Sequence, residues 1–259
     1  MISINYNGAS GAAAYNLANT NVNLQRSLQR LSSGSRINSS FDDAGGLAVS
    51  MKMSASIRRT EATQANVGNA IAILQTQDGV LKSADGVLNR MSELATLAQD
   101  VTKSTSDLAL YSTELTQLKG QLNLMLSEKF NGISLFSVAG SAGTTLAVVT
   151  SHDGAQSVGI TQSDLSSLST TVGSSATTGM SIASNTGAQN AVTTIQAVIQ
   201  SLATLRATNG AEQSRLTFAA DMLSVNKINL EAANSRIIDV DVASESAQLA
   251  RFNILQQAG

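Results

Sequence analysis

Apolar residues recur at intervals of seven along three stretches of this chain, and that spacing predicts most of its architecture. In the first stretch the pairs Ile73-Leu74, Val80-Leu81, Val87-Leu88 and Leu94-Ala95 follow one another, with Ala70, Ala84 and Met91 between them. The stripe is narrow, of the coiled-coil or bundle type, and covers roughly residues 44–99. As one helix it would span about 80 Å. Gly68, Gly79 and Gly86 weaken it locally, each by up to about 1 kcal/mol relative to alanine. A second stretch carries Leu108, Tyr111, Leu115, Leu118, Leu122 and Met125 at alternating intervals of three and four, an amphipathic helix. In the third, Ile195, Leu202, Asn209, Leu216, Leu223, Leu230 and Ile237 stand seven apart, and Val198, Leu205, Ala219 and Ala233 supply the other seam positions. Asn209 and Glu212 interrupt this seam. They are expected to mark local exposure, the alternative being a polar position that fixes register.

Between the helical stretches the period changes. In KFNGISLF, Asn131-Gly132 is a turn dipeptide flanked by Phe130 and by Ile133, Leu135 and Phe136, which predicts a turn or small hairpin. Residues 138–189 are Ser, Thr, Gly and Ala with scattered valines, poor helix formers. The runs 145–150 and 156–161 read as strands of a small insert. The expected fold class is mainly α: a long antiparallel coiled coil or helical bundle with a small β-containing insert, and terminal helices forming a second, inner layer.

The two ends differ from the middle. Leu17, Leu24, Leu28 and Leu31 form a stripe, but Ala12, Ala13, Ala14 and Ala18 make up much of the rest. At the other end Val242, Leu249, Phe252 and Leu255 form a short stripe. Burying a methyl contributes only about 0.8 kcal/mol, whereas ordering a residue costs about 1–2 kcal/mol. A hairpin of these two ends needs neighbours on several sides to hold together.

Residues 28–50, LQRLSSGSRINSSFDDAGGLAVS, break one helix and start another without proline. Gly34 among serines suits a helix exit. Asp42 and Asp43 suit the next helix start, where one caps free N–H groups and both sit at the positive end of the dipole. SRIIDVDVASES, residues 235–246, mirrors this and offers Asp239 or Asp241 as a cap for the last helix. The expected organisation is terminal helices at 1–35 and 240–259, connectors at 36–43 and 236–241, a long-helix bundle at 44–137 and 190–235, and the insert at 138–189. Two connectors at matching places imply two strands of chain crossing together between layers.

Composition narrows the chemistry. Among 259 residues, 3% are aromatic, the net charge is −2, there is one histidine, and Cys, Trp and Pro are absent. No disulfide or thiolate metal site can form, and no basic field marks a nucleic-acid binder. No run of about 18 apolar residues suggests a membrane span. The N-terminus lacks the pattern of a cleaved signal peptide, so the chain is expected to stay in the cytoplasm or to leave by another route. Ser151-His152-Asp153 cannot form a relay, because adjacent residues cannot line up three side chains. His152 is read as a loop residue. Asp239, Asp241 and Glu245 lack the ligand density and bend glycine of a calcium loop, and read as helix caps. Gly45-Gly46 after two aspartates is no phosphate loop and reads as tight packing of a helix start. No catalytic residue, cofactor or metal is expected.

Residues 28–50 resemble the N-terminal signature of bacterial flagellin. LNRMSELATLAQD (88–100), FNGISLF (130–136), NLEAANSRIIDVDVASE (229–245) and ILQQAG (254–259) resemble further flagellin signatures in the same order. The resemblance covers roughly residues 1–137 and 190–259. It implies a structural, non-enzymatic subunit of the flagellar filament, short in its outer region, that is secreted through the flagellar channel. It implies bundle and filament packing by Leu74, Leu81, Leu88, Leu115, Leu118, Leu122, Leu202, Leu216, Leu223 and Leu230. Inner-helix packing falls to Leu17, Leu24, Leu28, Leu31, Leu249, Phe252 and Leu255. The implied partners are further copies of the chain, hook-associated and cap proteins, the export chaperone and export apparatus, and Toll-like receptor 5, with no nucleic acid and no membrane. Arg90, Leu94 and Glu114 stand where the family's receptor-recognition residues stand, although Leu94 also lies on the heptad stripe. The family's last helix continues past Gly259, so a chain ending there is expected to polymerise less well. The alternative is a hook–filament junction protein, which shares the terminal helices. A flagellin-like enzyme with an inserted protease is disfavoured by the lone His152 and the short insert.

Overall fold

Each apolar stripe lies along a helix. The structure, a computed structural model, describes residues 8–137, 145–164 and 180–258. Its helices are α1 (Gly8–Ser33), α2 (Ala44–Leu97), α3 (Thr105–Leu126), α4 (Asn185–Ile238) and α5 (Val242–Ala258). Short strands β1 (Lys129–Phe130), β2 (Ile133–Ser134), β3 (Phe136–Ser137), β4 (Thr145–Val149), β5 (Ser157–Thr161) and β6 (Ser163–Asp164) stand between α3 and α4. The architecture is a helical bundle with small strand pairs, as the periodicity predicts.

The chain divides into two compact units, Met1–Thr60 with Val225–Gly259, and Glu61–Ser224. The start of α2 and the end of α4 thus group with the terminal helices, whereas the expected bundle of 44–137 and 190–235 places them with the long helices.

In the Glu61–Ser224 unit, Leu81, Leu88, Leu115, Leu122 and Leu202 are all but fully buried in one cluster. Val67, Leu74, Leu216 and Leu223 form a second cluster with Ile160 of β5, against which Leu146, Val148 and Val158 pack. The β4–β5 pair is antiparallel, with Thr145 opposite Thr161 and Val149 opposite Ser157, so alternate residues face that cluster. Both runs predicted as strands are therefore strands. Residues 138–144 and 165–179 of the expected insert lie outside the described residues. β1 and β2 pair through Asn131-Gly132, whose φ values of 49° and 82° are those a two-residue hairpin turn of the primed kind requires. Ser104 and Asp107 close a reciprocal capping box at the start of α3.

One expectation fails in this unit. Asn209 and Glu212, predicted to mark local exposure, are only 2% and 7% exposed. Asn209 Nδ2 donates to the Leu74 carbonyl and to Gln77 Oε1, both at 3.1 Å, and Asn209 Oδ1 accepts from Gln213 Nε2 at 2.6 Å. Gln77 Nε2 in turn donates to the Leu135 carbonyl at 3.1 Å. Glu212 accepts the Thr161 N–H at 3.2 Å with either oxygen. The heptad break is a paired polar layer, buried because partners on α2, on β5 and at Leu135 meet its hydrogen-bonding needs.

In the terminal unit α1 packs along α5. Gly34 leaves α1 with φ of 71°, a left-handed exit. The chain leaving α1 then meets the chain leaving α4. Arg36 N–H donates to the Ile238 carbonyl at 2.5 Å, Val240 N–H to the Gly34 carbonyl at 3.1 Å, and Ser35 bridges antiparallel to Asp239. Arg36 Nη2 also reaches the Ile237 carbonyl at 2.6 Å, placing a cation on the negative end of α4.

The aspartates divide their work. Asp43 Oδ1 accepts the Gly46 N–H at 2.8 Å and caps α2. Asp42 Oδ2 instead ties the connector, accepting the N–H groups of Asn38 and Ser39 and the Ser39 hydroxyl. Asp241 Oδ1 caps α5 through the N–H groups of Ala243 and Ser244, while Asp239 accepts the Ser235 hydroxyl.

Two predictions arise here. A Cβ on Gly46 would collide with the Asp43 carboxylate and stand 2.8 Å from Ile37 Cδ1, a buried side chain. Gly46→Ala is therefore expected to dislodge the cap and cost about 1–3 kcal/mol, read from chemical denaturation. Partial burial works to raise the Asp42 carboxyl, but the hydrogen bonds from Asn38 and Ser39 outweigh it and hold it below the usual value. The stability Asp42 contributes is thus complete above the unfolded aspartate pKa of about 3.9. It is lost as pH falls through the lower folded value. Amide exchange at residues 38–42 is expected to accelerate only below that range, and an Asp42 carboxyl signal titrating at an ordinary value counts against it.

Candidate assembly surface

The terminal helices pair without burying their leucines. Leu17, Leu24 and Leu31 of α1 and Leu249 and Phe252 of α5 are half-buried, and Leu28 and Leu255 are exposed. Around them Phe41 is 86% exposed, Tyr15 69% and Ile254 66%. Side chains this open, along helices this rich in alanine, leave much apolar surface in contact with water. Within the pair Arg30 faces Glu245, and Arg26 faces Asp42 of the connector, each at 3.8 Å.

The bundle leucines behave otherwise. Leu74, Leu81, Leu88, Leu115, Leu122, Leu202, Leu216 and Leu223 are buried inside the chain, and Leu118 and Leu230 are half-buried. The heptad seam of the Glu61–Ser224 unit is spent on its own core.

The three recognition candidates separate. Arg90 Nε donates to Glu114 Oε1 and its Nη1 to Glu93 Oε2, both at 2.8 Å, on an open surface. Those two carboxylates hold the guanidinium firmly protonated. Leu94 is not beside them at the surface: it is 1% exposed, because its heptad position points inward. Periodicity gave no sign of Val101 and Phe218, which are strongly exposed. Phe218 lies off the seam, two residues after Leu216, and its neighbour Ala219 carries the inward position. His152 lies in the turn joining β4 to β5, where the Ser151 hydroxyl binds Asp153 rather than the imidazole. Among the described residues no group of acidic, histidine or cysteine side chains could hold a metal ion. No described helix is long and apolar enough to cross a membrane.

Comparison with known proteins bears on what covers the open helices. Residues 4–141 match the bacterial flagellin N-terminal helical region and residues 192–259 the bacterial flagellin C-terminal helical region. The chain belongs to the flagellin family. Flagellin FlaB2 of Treponema pallidum is 32% identical to this flagellin over 265 aligned residues, covering 99% of this chain and 93% of the relative. The crystal structure of Bacillus cereus flagellin superposes with a TM-score of 0.54 at 26% identity, covering 66% of this chain and 94% of that one. A Vibrio parahaemolyticus structure assigned as a flagellar hook-associated protein superposes with a TM-score of 0.62 over 76% of this chain and 100% of its own. Its 13% identity speaks for a shared fold alone.

Proposed function

We propose that this flagellin is a structural subunit of the bacterial flagellar filament, assembled from copies of itself through α1 and α5. The observation that carries the reading is the match of both ends of the chain to flagellin helical regions. The unburied leucines of α1 and α5 supply the physical cause, since only neighbouring copies would complete their packing. In this reading residues 1–35 and 240–259 form the inner layer, 36–43 and 236–241 the connectors, 44–137 and 190–235 the next layer, and 138–189 the outward insert. The chain leaves the cell unfolded through the flagellar channel, served by an export chaperone, and meets hook-associated and cap proteins at the filament's ends. Electron microscopy of the concentrated protein is expected to show helical filaments, long or short. A monodisperse particle under every salt and crowding condition overturns the reading. Hydrogen exchange gives a second measure: residues 17–31 and 242–255 exchange fast in dilute subunit and slowly in filaments.

The alternative reading is a hook–filament junction protein, which shares the terminal helices. It predicts short caps or rings rather than extended filaments, so the same micrographs separate the two.

Recognition by Toll-like receptor 5 belongs to the same proposal and rests on the exposed Arg90–Glu114 pair. Arg90→Ala and Glu114→Ala are each expected to reduce receptor signalling by tenfold or more, on the order of a binding hot spot. Their thermal stability should stay near that of the parent, because water screens an exposed ion pair. Unchanged signalling by both variants removes the receptor from the proposal. Leu94 acts only indirectly here, by holding the helix face that carries Arg90.

A further inference from the structure

Glu245 is the one acidic residue in the first turn of α5, and its side chain is 7% exposed. Its carboxylate faces Arg30, in the last turn of α1, across the helix pair. The approach is unfinished. Glu245 Oε2 stands 3.8 Å from Arg30 Nη1, beyond hydrogen-bonding distance, and both Glu245 Oε1 and Arg30 Nε are buried with no hydrogen-bond partner. The surrounding charged groups are engaged elsewhere. Arg26 is turned to Asp42, Arg36 to the carbonyls of α4, and Asp241 to the N–H groups it caps. Arg30 also acts electrostatically on Asp42.

We propose that Arg30 and Glu245 form a register clasp between the terminal helices, open in the lone subunit and closed when neighbouring copies press the pair together. This rests on the filament reading. The need for a clasp follows from the sequence of α1: a stripe of leucines and alanines tolerates a slip of one heptad, because each leucine then meets the place of another. A charge pair whose carboxylate is buried does not tolerate it, since the slip strands that carboxylate away from both its partner and water. Two buried atoms without hydrogen-bond partners call for an explanation, and closure of the pair in another state supplies one. In the filament the helices move together by a fraction of the 3.8 Å gap, and Nε–H and Nη1–H then donate to the two carboxylate oxygens, the two-pronged geometry guanidinium favours. Arg30 and Glu245 are thus positioning residues for assembly.

The test compares the parent with Arg30→Glu, Glu245→Arg and the double charge swap. Each single reversal is expected to raise the critical concentration for assembly about tenfold or more, and the swap to recover most of it. In addition, the Arg30 Nε resonance is expected to shift between dilute subunit and filament as the N–H gains an acceptor. Single variants that assemble like the parent, a swap no better than the singles, or an Nε resonance identical in both states overturns the clasp. If the parent itself forms no filaments, the filament reading fails. The clasp rests on that reading and falls with it, whereas single variants that assemble as well as an assembling parent reject the clasp alone.

Discussion

Leu202→Ala is expected to lower the stability of the Glu61–Ser224 unit by about 2–5 kcal/mol. Leu202 is 1% exposed and sits in the same cluster as Leu81, Leu88, Leu115 and Leu122. Trimming its isobutyl group to a methyl loses the transfer energy of three carbons and leaves a void that long helices cannot collapse around, because each is held at many other seam positions. The midpoint of thermal unfolding should fall by on the order of 10 °C. A drop of only a degree or two would mean that α4 is not seated on α2 and α3 as described. The variant should assemble less well at growth temperature, yet its α1 and α5 exchange rates in dilute subunit should match the parent's.

Asn209→Leu is expected to be nearly as costly, although it places a leucine where the heptad rule asks for one. The substitution removes a donor from Gln77 Oε1 and an acceptor from Gln213 Nε2. Each polar atom left buried without a partner costs about 1–3 kcal/mol. Apolar transfer of the new side chain offsets part of this, about 1.5–3 kcal/mol at most. The extra volume must also be fitted into a closed layer. A double variant, Gln77→Leu with Asn209→Leu, should be less destabilised than the sum of its singles, since it removes both halves of one hydrogen bond. Chemical denaturation of the four proteins reads the coupling directly. Additive losses, or an Asn209→Leu protein more stable than the parent, would show that the polar layer contributes nothing to the choice of register.

These two residues share a seam, and that is why they show how far periodicity reaches. Leu202 and Asn209 stand one heptad apart, both face inward, and both are buried. The rule of seven places each on the correct face of α4. It does not say what lies opposite, and the fate of a polar residue on a buried face depends on that alone. Gln77 occupies the corresponding seam position on α2, between Leu74 and Leu81, and could have raised the suspicion of a matched polar pair. Glu212 had no such signal. Its partner is a backbone N–H on β5, fifty-one residues earlier in the chain. The recognition candidates divide in the same way. Arg90 and Glu114 are joined by a bond between two helices that no spacing reveals, and Leu94 is withdrawn from that surface by the heptad it belongs to.

The amino-acid sequence alone determined the helices, their inward faces, an aspartate cap from each of the pairs Asp42/Asp43 and Asp239/Asp241, the helix exit at Gly34 and the turn at Asn131-Gly132. All of these follow from contacts within a few residues, which a linear pattern can encode. Only the tertiary structure decided that Asn209 and Glu212 are buried, that Glu212 holds the β4–β5 pair to α4, and that Arg30 and Glu245 meet without closing. Each of those depends on residues brought together from distant parts of the chain, where the surroundings of a polar group, and not its own chemistry, set whether it stabilises or strains the fold.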